Sequence, residues 1–192
     1  MRKCATPAPL QRAFDFVESI GLPIAWHAGA AGFVDHIRIQ DGSLLVDERC
    51  EASTLLHEAG HLAITPGRFR PLMNDNVSAG INAMMAQIQA LDLHPDDPLY
   101  RAAIQCSDPE ATAWAWAAGA AIGLPPKTVI QDHEYDCTGD AVRFQLMASL
   151  KATTRVTGHP GIHGLAHAGM CALRAGTALP MYPKLVNWLQ AH

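Results

Sequence analysis

Residues 57 to 61 read His57-Glu58-Ala59-Gly60-His61, the pattern H-E-x-x-H. On a helix, residues four apart share one face and lie one turn from each other. Two imidazole nitrogens in that relation can grip one Zn²⁺ at about 2.0–2.1 Å. Glu58 follows the first histidine and leans toward the same point without having to bind there. It is the candidate general base, taking a proton from a water that the metal acidifies. The chemistry implied is hydrolysis, with His57 and His61 as metal ligands.

The flanks must make this stretch a helix. Ala52-Ser53-Thr54-Leu55-Leu56 leads in and Leu62-Ala63-Ile64 leads out, with apolar positions to bury beside the histidines. Thr65-Pro66-Gly67 stops the run, as a Pro-Gly pair does. The expected helix is about 13–15 residues long.

A catalytic zinc normally has three protein ligands and one open position. The candidate for the third is Glu110, at the start of a helix whose face continues through Ala113, Trp114, Ala117, Ala118 and Ala121. Small residues there let the two helices approach closely. Glu110 also has a purely structural alternative, because Ser107-x-x-Glu110 is a capping box with Pro109 at the first helical position. Position does not separate the two. Tyr135 and His133, in His133-Glu134-Tyr135-Asp136, are candidates to donate to the oxyanion of a tetrahedral intermediate; the alternative is a polar loop. His159, His163 and His167 form a histidine cluster among glycines, either a second metal site, a cleft lining or loop residues. Cys106, four before Glu110, is a candidate fourth ligand that would close the site.

The elements around these residues can be outlined. Leu10, Phe14, Val17 and Ile20 predict a helix over 8–20 ended by Gly21-Leu22-Pro23. Asp41-Gly42 between 36–39 and 44–46 predicts a hairpin. Further helices are predicted over 78–91, 107–122 and 138–151, with His94 to Pro98 as a break, 68–75 irregular, a short strand at 128–130, and an amphipathic turn at 185–189. The stretch 157–169 has no assignable pattern. The expected class is α+β: one mainly helical domain over residues 1–192, with a small antiparallel sheet packed by the H-E-x-x-H helix.

Bulk properties exclude several functions. The 192 residues carry a net charge of −4, so no basic surplus exists to neutralise phosphates, and nucleic acid is not expected as a main partner. Cys4, Cys50, Cys106, Cys137 and Cys171 are odd in number and form no C-x-x-C, unlike a disulfide framework or a cysteine zinc site. No apolar stretch follows Met1-Arg2-Lys3-Cys4, and 111–124 is too short to span a bilayer. A cytoplasmic location without a membrane partner is expected. Oligomeric state has no signal in the sequence.

The pairing of His57-Glu58-Ala59-Gly60-His61 with Glu110-x-x-Ala113-Trp114-Ala115-Trp116-Ala117 and the stop at Leu124-Pro125 resembles the ImmA/IrrE-like zinc metallopeptidase family, over roughly residues 35 to 136. Its members have a zinc helix, then a glutamate-bearing helix with an Ala-aromatic-Ala pattern and a Leu-Pro or Met-Pro stop. The resemblance implies a zincin-like fold and one Zn²⁺ per chain. It implies His57, His61 and, as a gluzincin-like third ligand, Glu110 as the ligands, with Glu58 as base. The expected activity is zinc-dependent hydrolysis of a peptide or protein substrate. The alternative is a zinc-binding regulatory or interaction protein without competent peptidase activity.

Overall fold

The computed structural model describes residues 8–154 and 158–191. Cys4, with the rest of Met1-Arg2-Lys3-Cys4, lies outside them, as does residue 157. The chain runs α1 (Pro9–Ser19), β1 (Ile24–Trp26), β2 (Ile37–Gln40), β3 (Ser43–Val46), α2 (Ala52–Ile64), a 3-10 turn (Gly67–Leu72), α3 (Val77–Ala90) and α4 (Pro98–Ala103). It continues with α5 (Asp108–Ala121), α6 (Pro126–Val129), α7 (Glu134–Cys137), α8 (Gly139–Lys151) and α9 (Pro160–His167). The fold is α+β. Among the described residues, no helix is long and apolar enough to cross a membrane.

The sheet has the order β1-β3-β2. β2 and β3 are antiparallel, pairing Ile37 with Val46 and Gln40 with Ser43. Asp41 and Gly42 both have positive φ, 49° and 74°, which is the two-residue turn that matches strand twist. Gly42 is also forced by space, since a Cβ there would lie 2.6 Å from the Arg70 carbonyl oxygen. The expected all-antiparallel sheet is corrected by β1, which pairs parallel to β3. Strand β1 is three residues long and stands before a Gly-rich loop, too short for alternation to show. Burial alternates on β2 and β3, and Ile37, Ile39, Leu44 and Val46 join Leu55, Leu56 and Leu62 of α2 in one core.

Helix α2 lies between the sheet and α5, and α5 packs in turn on α9. The approach of α2 to α5 is close because Gly60 has no side chain: a Cβ there would stand 2.7 Å from the Ala111 carbonyl oxygen. On the other side, Gly161 abuts the Pro109 carbonyl and Gly164 abuts the Glu110 carboxyl. The first turn of α5 is thus wedged between glycines of two helices. The end of α2 is satisfied by side chains, as helix carbonyls require. Arg70 donates to the Leu62 and Thr65 carbonyls at 2.8 and 3.2 Å, and Thr65 Oγ1 donates to the His61 carbonyl. The C-terminal segment straps the same helices. Tyr182 Oη donates to the Ala113 carbonyl, Trp114 Nε1 to the Trp188 carbonyl, and Gln190 N to the Ala63 carbonyl.

Two expectations change where proline was taken only as a breaker or a stop, and a third proline orders a stretch that had no assignable pattern. Asp97 caps and Pro98 opens α4, because proline fits the first helical turn. Pro126 likewise starts α6, so the expected strand at 128–130 is a helical turn. Pro160 opens α9 with His159 as its cap. The expected turn at 185–189 is irregular chain, shaped by the strap contacts rather than by its own periodicity.

Replacing Gly60 by Ala forces α2 and α5 apart or distorts both. The expected cost in denaturant unfolding is about 1–3 kcal/mol. Gly67→Ala, whose Cβ would meet nothing nearer than 3.7 Å, is expected to stay within about 0.5 kcal/mol of wild type.

Candidate metal centre

The helix places the two histidines as their spacing requires. His57 Nε2 and His61 Nε2 lie 3.2 Å apart, with the rings edge to face. The third group in the cluster is Asp108, the first residue of α5. Its Oδ1 is 3.2 Å from His61 Nε2 and 3.8 Å from His57 Nε2. Two ligands held at about 2.0–2.1 Å by a tetrahedral metal are separated by about 3.3–3.4 Å. The three atoms therefore form close to one face of a coordination tetrahedron. The donor chemistry agrees: two imidazole nitrogens and a carboxylate oxygen converge with no lysine or arginine among them, an arrangement that a shared cation relieves. The neighbouring imidazoles of His57 and His61 hold the Asp108 carboxyl well below the usual carboxylate range.

Glu110, the expected third ligand, is not in this cluster. Its carboxyl accepts from Ser107 Oγ and is buried against Gly164 of α9. Burial raises its pKa, against the lowering effect of the Ser107 hydrogen bond. The side chain is held within its own helical turn by the Ser107 hydroxyl, which itself makes no cap to the backbone. Asp108 carried a signal that went unweighed: it lies two residues before Glu110, in the same first turn, at a helix N-terminus that faces α2. Pro109 separates the two acids, and only one of them turns to the histidines. Cys106 does not close the site. Its Sγ donates to the Ile64 and Ala102 carbonyls, both at 3.4 Å.

Tyr135 stands behind His57. Its Oη lies 3.4 Å from His57 Nδ1 and 3.0 Å from Thr112 Oγ1. A metal on His57 Nε2 would leave the proton on Nδ1, within reach of Tyr135 Oη as its acceptor, and Thr112 lies on the other side of that hydroxyl. Burial pushes the Tyr135 phenol up to about 12, so it remains an O–H donor. The backbone delivers this ring by a left-handed turn: Tyr135, Asp136 and Cys137 have φ of 56°, 56° and 63°. Such a conformation costs roughly 1–2 kcal/mol per L-residue and persists where side-chain contacts hold it.

His57 and Glu58 line two neighbouring cavities. One, of about 620 Å³, is bounded by Phe33, His61, Asn76, Ile81 and Asp108. The other, of about 320 Å³, is bounded by Thr54, Ala115, Val129, His133 and Tyr135. His133 thus faces the same cleft as Glu58, and Tyr135 contacts a histidine of the cluster. The remaining histidines stand apart. His159 is buried and its Nδ1 accepts from Gly161 N at 3.2 Å, while His163 and His167 are not in the cluster.

Tyr135→Phe removes the partner of His57 Nδ1 and is expected to weaken metal binding by about 10–100-fold, read by competition with a chromophoric chelator. Asp108→Asn is expected to lose most bound metal by elemental analysis, while Glu110→Gln retains it. Metal lost from Glu110→Gln and kept by Asp108→Asn would return the ligand role to Glu110.

Comparisons with family models, with curated proteins and with solved structures each return no match.

Proposed function

We propose that the protein is a zinc-dependent peptidase of zincin-like design. The observation that carries this reading is the near-tetrahedral placing of His57 Nε2, His61 Nε2 and Asp108 Oδ1, with Glu58 on the wall of the same cavity. Nitrogen and carboxylate donors in this number suit Zn²⁺ with a position left open. Zinc held there supplies a Lewis acid that polarises a carbonyl and makes water acidic near neutral pH.

The chain's own residues divide the remaining work. Glu58 takes the proton of the attacking water and returns it to the leaving amine. Tyr135 keeps His57 in the tautomer that presents Nε2. His133, across the smaller cavity, is the candidate donor to the developing oxyanion. The two cavities meet at His57 and Glu58, so an extended peptide has room on either side of the reacting bond. The resemblance to the ImmA/IrrE-like family implies the same reaction with Glu110 as third ligand; the contacts to His57 and His61 favour Asp108 in that position.

The test is hydrolysis of a fluorogenic peptide library by zinc-loaded protein. Wild type is expected to cleave and to stop when a chelator removes the metal. Glu58→Gln is expected to keep its zinc and lose about 10²–10⁴-fold in rate. Zinc bound stoichiometrically with no hydrolysis by wild type would favour the regulatory or interaction role instead.

A further inference from the structure

The larger of the two cavities beside the cluster has an apolar wall. Phe33 and Val34 of the loop between β1 and β2 line it, as do Val77 and Ile81 of α3, which their spacing puts on one helix face. Val34, Val77 and Ile81 are partly buried against the core, but Phe33 is 88% exposed. A lone exposed aromatic needs no explanation; this one continues an apolar wall beside the reacting groups. Val34 and Glu58 both line this cavity, the smaller one and a narrow crevice along Ile37 and Ile39. The loop therefore borders the cleft where its two cavities meet. It is also fixed on both sides of Phe33. His27 N donates to the Val46 carbonyl at 2.8 Å, Gly29 N donates to Asp47 Oδ2, and Ala31 bridges to Asp35. Gly32 leaves room for the Asp75 carboxyl, which a Cβ there would strike. That carboxyl accepts from Ile39 N at 2.9 Å and lies 3.4 Å from Arg38 Nε.

We propose that Phe33 is a specificity-determining residue: with Val77 and Ile81 it receives a large apolar side chain of the peptide substrate, adjacent to the bond that is cut. The proposal rests on the peptidase reading above, which makes the occupant a peptide. No lysine or arginine lines the cavity, so an acidic side chain finds no partner there. Of the acids that do line it, Glu58 and Asp108 belong to the metal site of that reading, and Asp75 is answered by Arg38. The remaining wall is matched by apolar surface removed from water. An aromatic ring offers the most such surface and packs on Phe33 edge to face or offset. A rim already held by its own backbone contacts needs little further ordering when a ligand docks.

The test uses labelled peptides that differ at one position, carrying phenylalanine, alanine, lysine or glutamate there. Binding to the full chain incubated with zinc, as the Glu58→Gln variant so that the peptide stays intact, is read by fluorescence anisotropy. Cleavage by wild type is read beside it. The phenylalanine peptide is expected to bind most tightly and the glutamate peptide most weakly. Phe33→Ala, at an exposed position that folding does not depend on, is expected to weaken the phenylalanine peptide by about 3–10-fold, the scale of one aromatic contact. In cleavage that loss is expected in KM rather than in kcat, and Phe33→Trp is expected to restore the preference. Equal affinity for the phenylalanine and alanine peptides, including no binding of either up to about 1 mM, would overturn the proposal. So would tightest binding of the lysine or glutamate peptide, or a phenylalanine preference that Phe33→Ala leaves intact. A Phe33-dependent preference without cleavage by wild type would overturn the peptidase reading and keep the pocket, and cleavage without the preference would do the reverse.

Discussion

The close approach of α5 to its two neighbouring helices is the constraint on which the site depends. Asp108 reaches the histidines only because the turn that follows it sits against Gly60 of α2 and Gly161 and Gly164 of α9. A side chain at any of these glycines would occupy the place of backbone or of Glu110. Interiors at native density do not absorb such a change without moving whole elements. The distances within the histidine–aspartate cluster are therefore set by packing behind it, in residues that have no chemistry of their own.

This clarifies what the sequence could and could not disclose. The two histidines and Glu58 were legible because their geometry is local: a helix of known period fixes it, and α2 spans Ala52–Ile64 much as its flanks predicted. The hairpin was legible for the same reason, through Asp41-Gly42. The third member of the cluster was not, because it depends on which of two acids in one helical turn faces a helix some fifty residues away in sequence. Both Asp108 and Glu110 fit a helix N-terminus equally well. Only the burial of Glu110 against α9, and the exposure of Asp108 on the side of α2, distinguishes them. The parallel strand β1 and helix α4 escaped notice because three or six residues carry too little periodicity. At α4 and α6, proline opened a helix where it had been taken to end one.

Tyr135 shows a different relation between sequence and site. Nothing in His133-Glu134-Tyr135-Asp136 announces three successive residues in the left-handed region. The conformation follows from what the ring touches, since Thr112 of α5 and His57 of α2 lie on either side of its hydroxyl. One phenol thereby ties a histidine of the cluster to the helix that carries Asp108. The two halves of the cluster are joined twice, directly through the ligand atoms and again through this outer contact.

The capping of α2 has a consequence for how the protein is assembled. Arg70 bridges the last carbonyls of that helix to the Gln190 carbonyl, across 120 positions of chain. Helix formation is local and fast, but closing so long a loop costs entropy before its contacts repay it. The histidine-bearing helix can thus form early while its C-terminal end stays unfinished until the last segment docks. Maturation of the centre is in this sense a property of the whole chain: the five-residue motif is local, and the frame that holds it to shape arrives from the far end of the sequence.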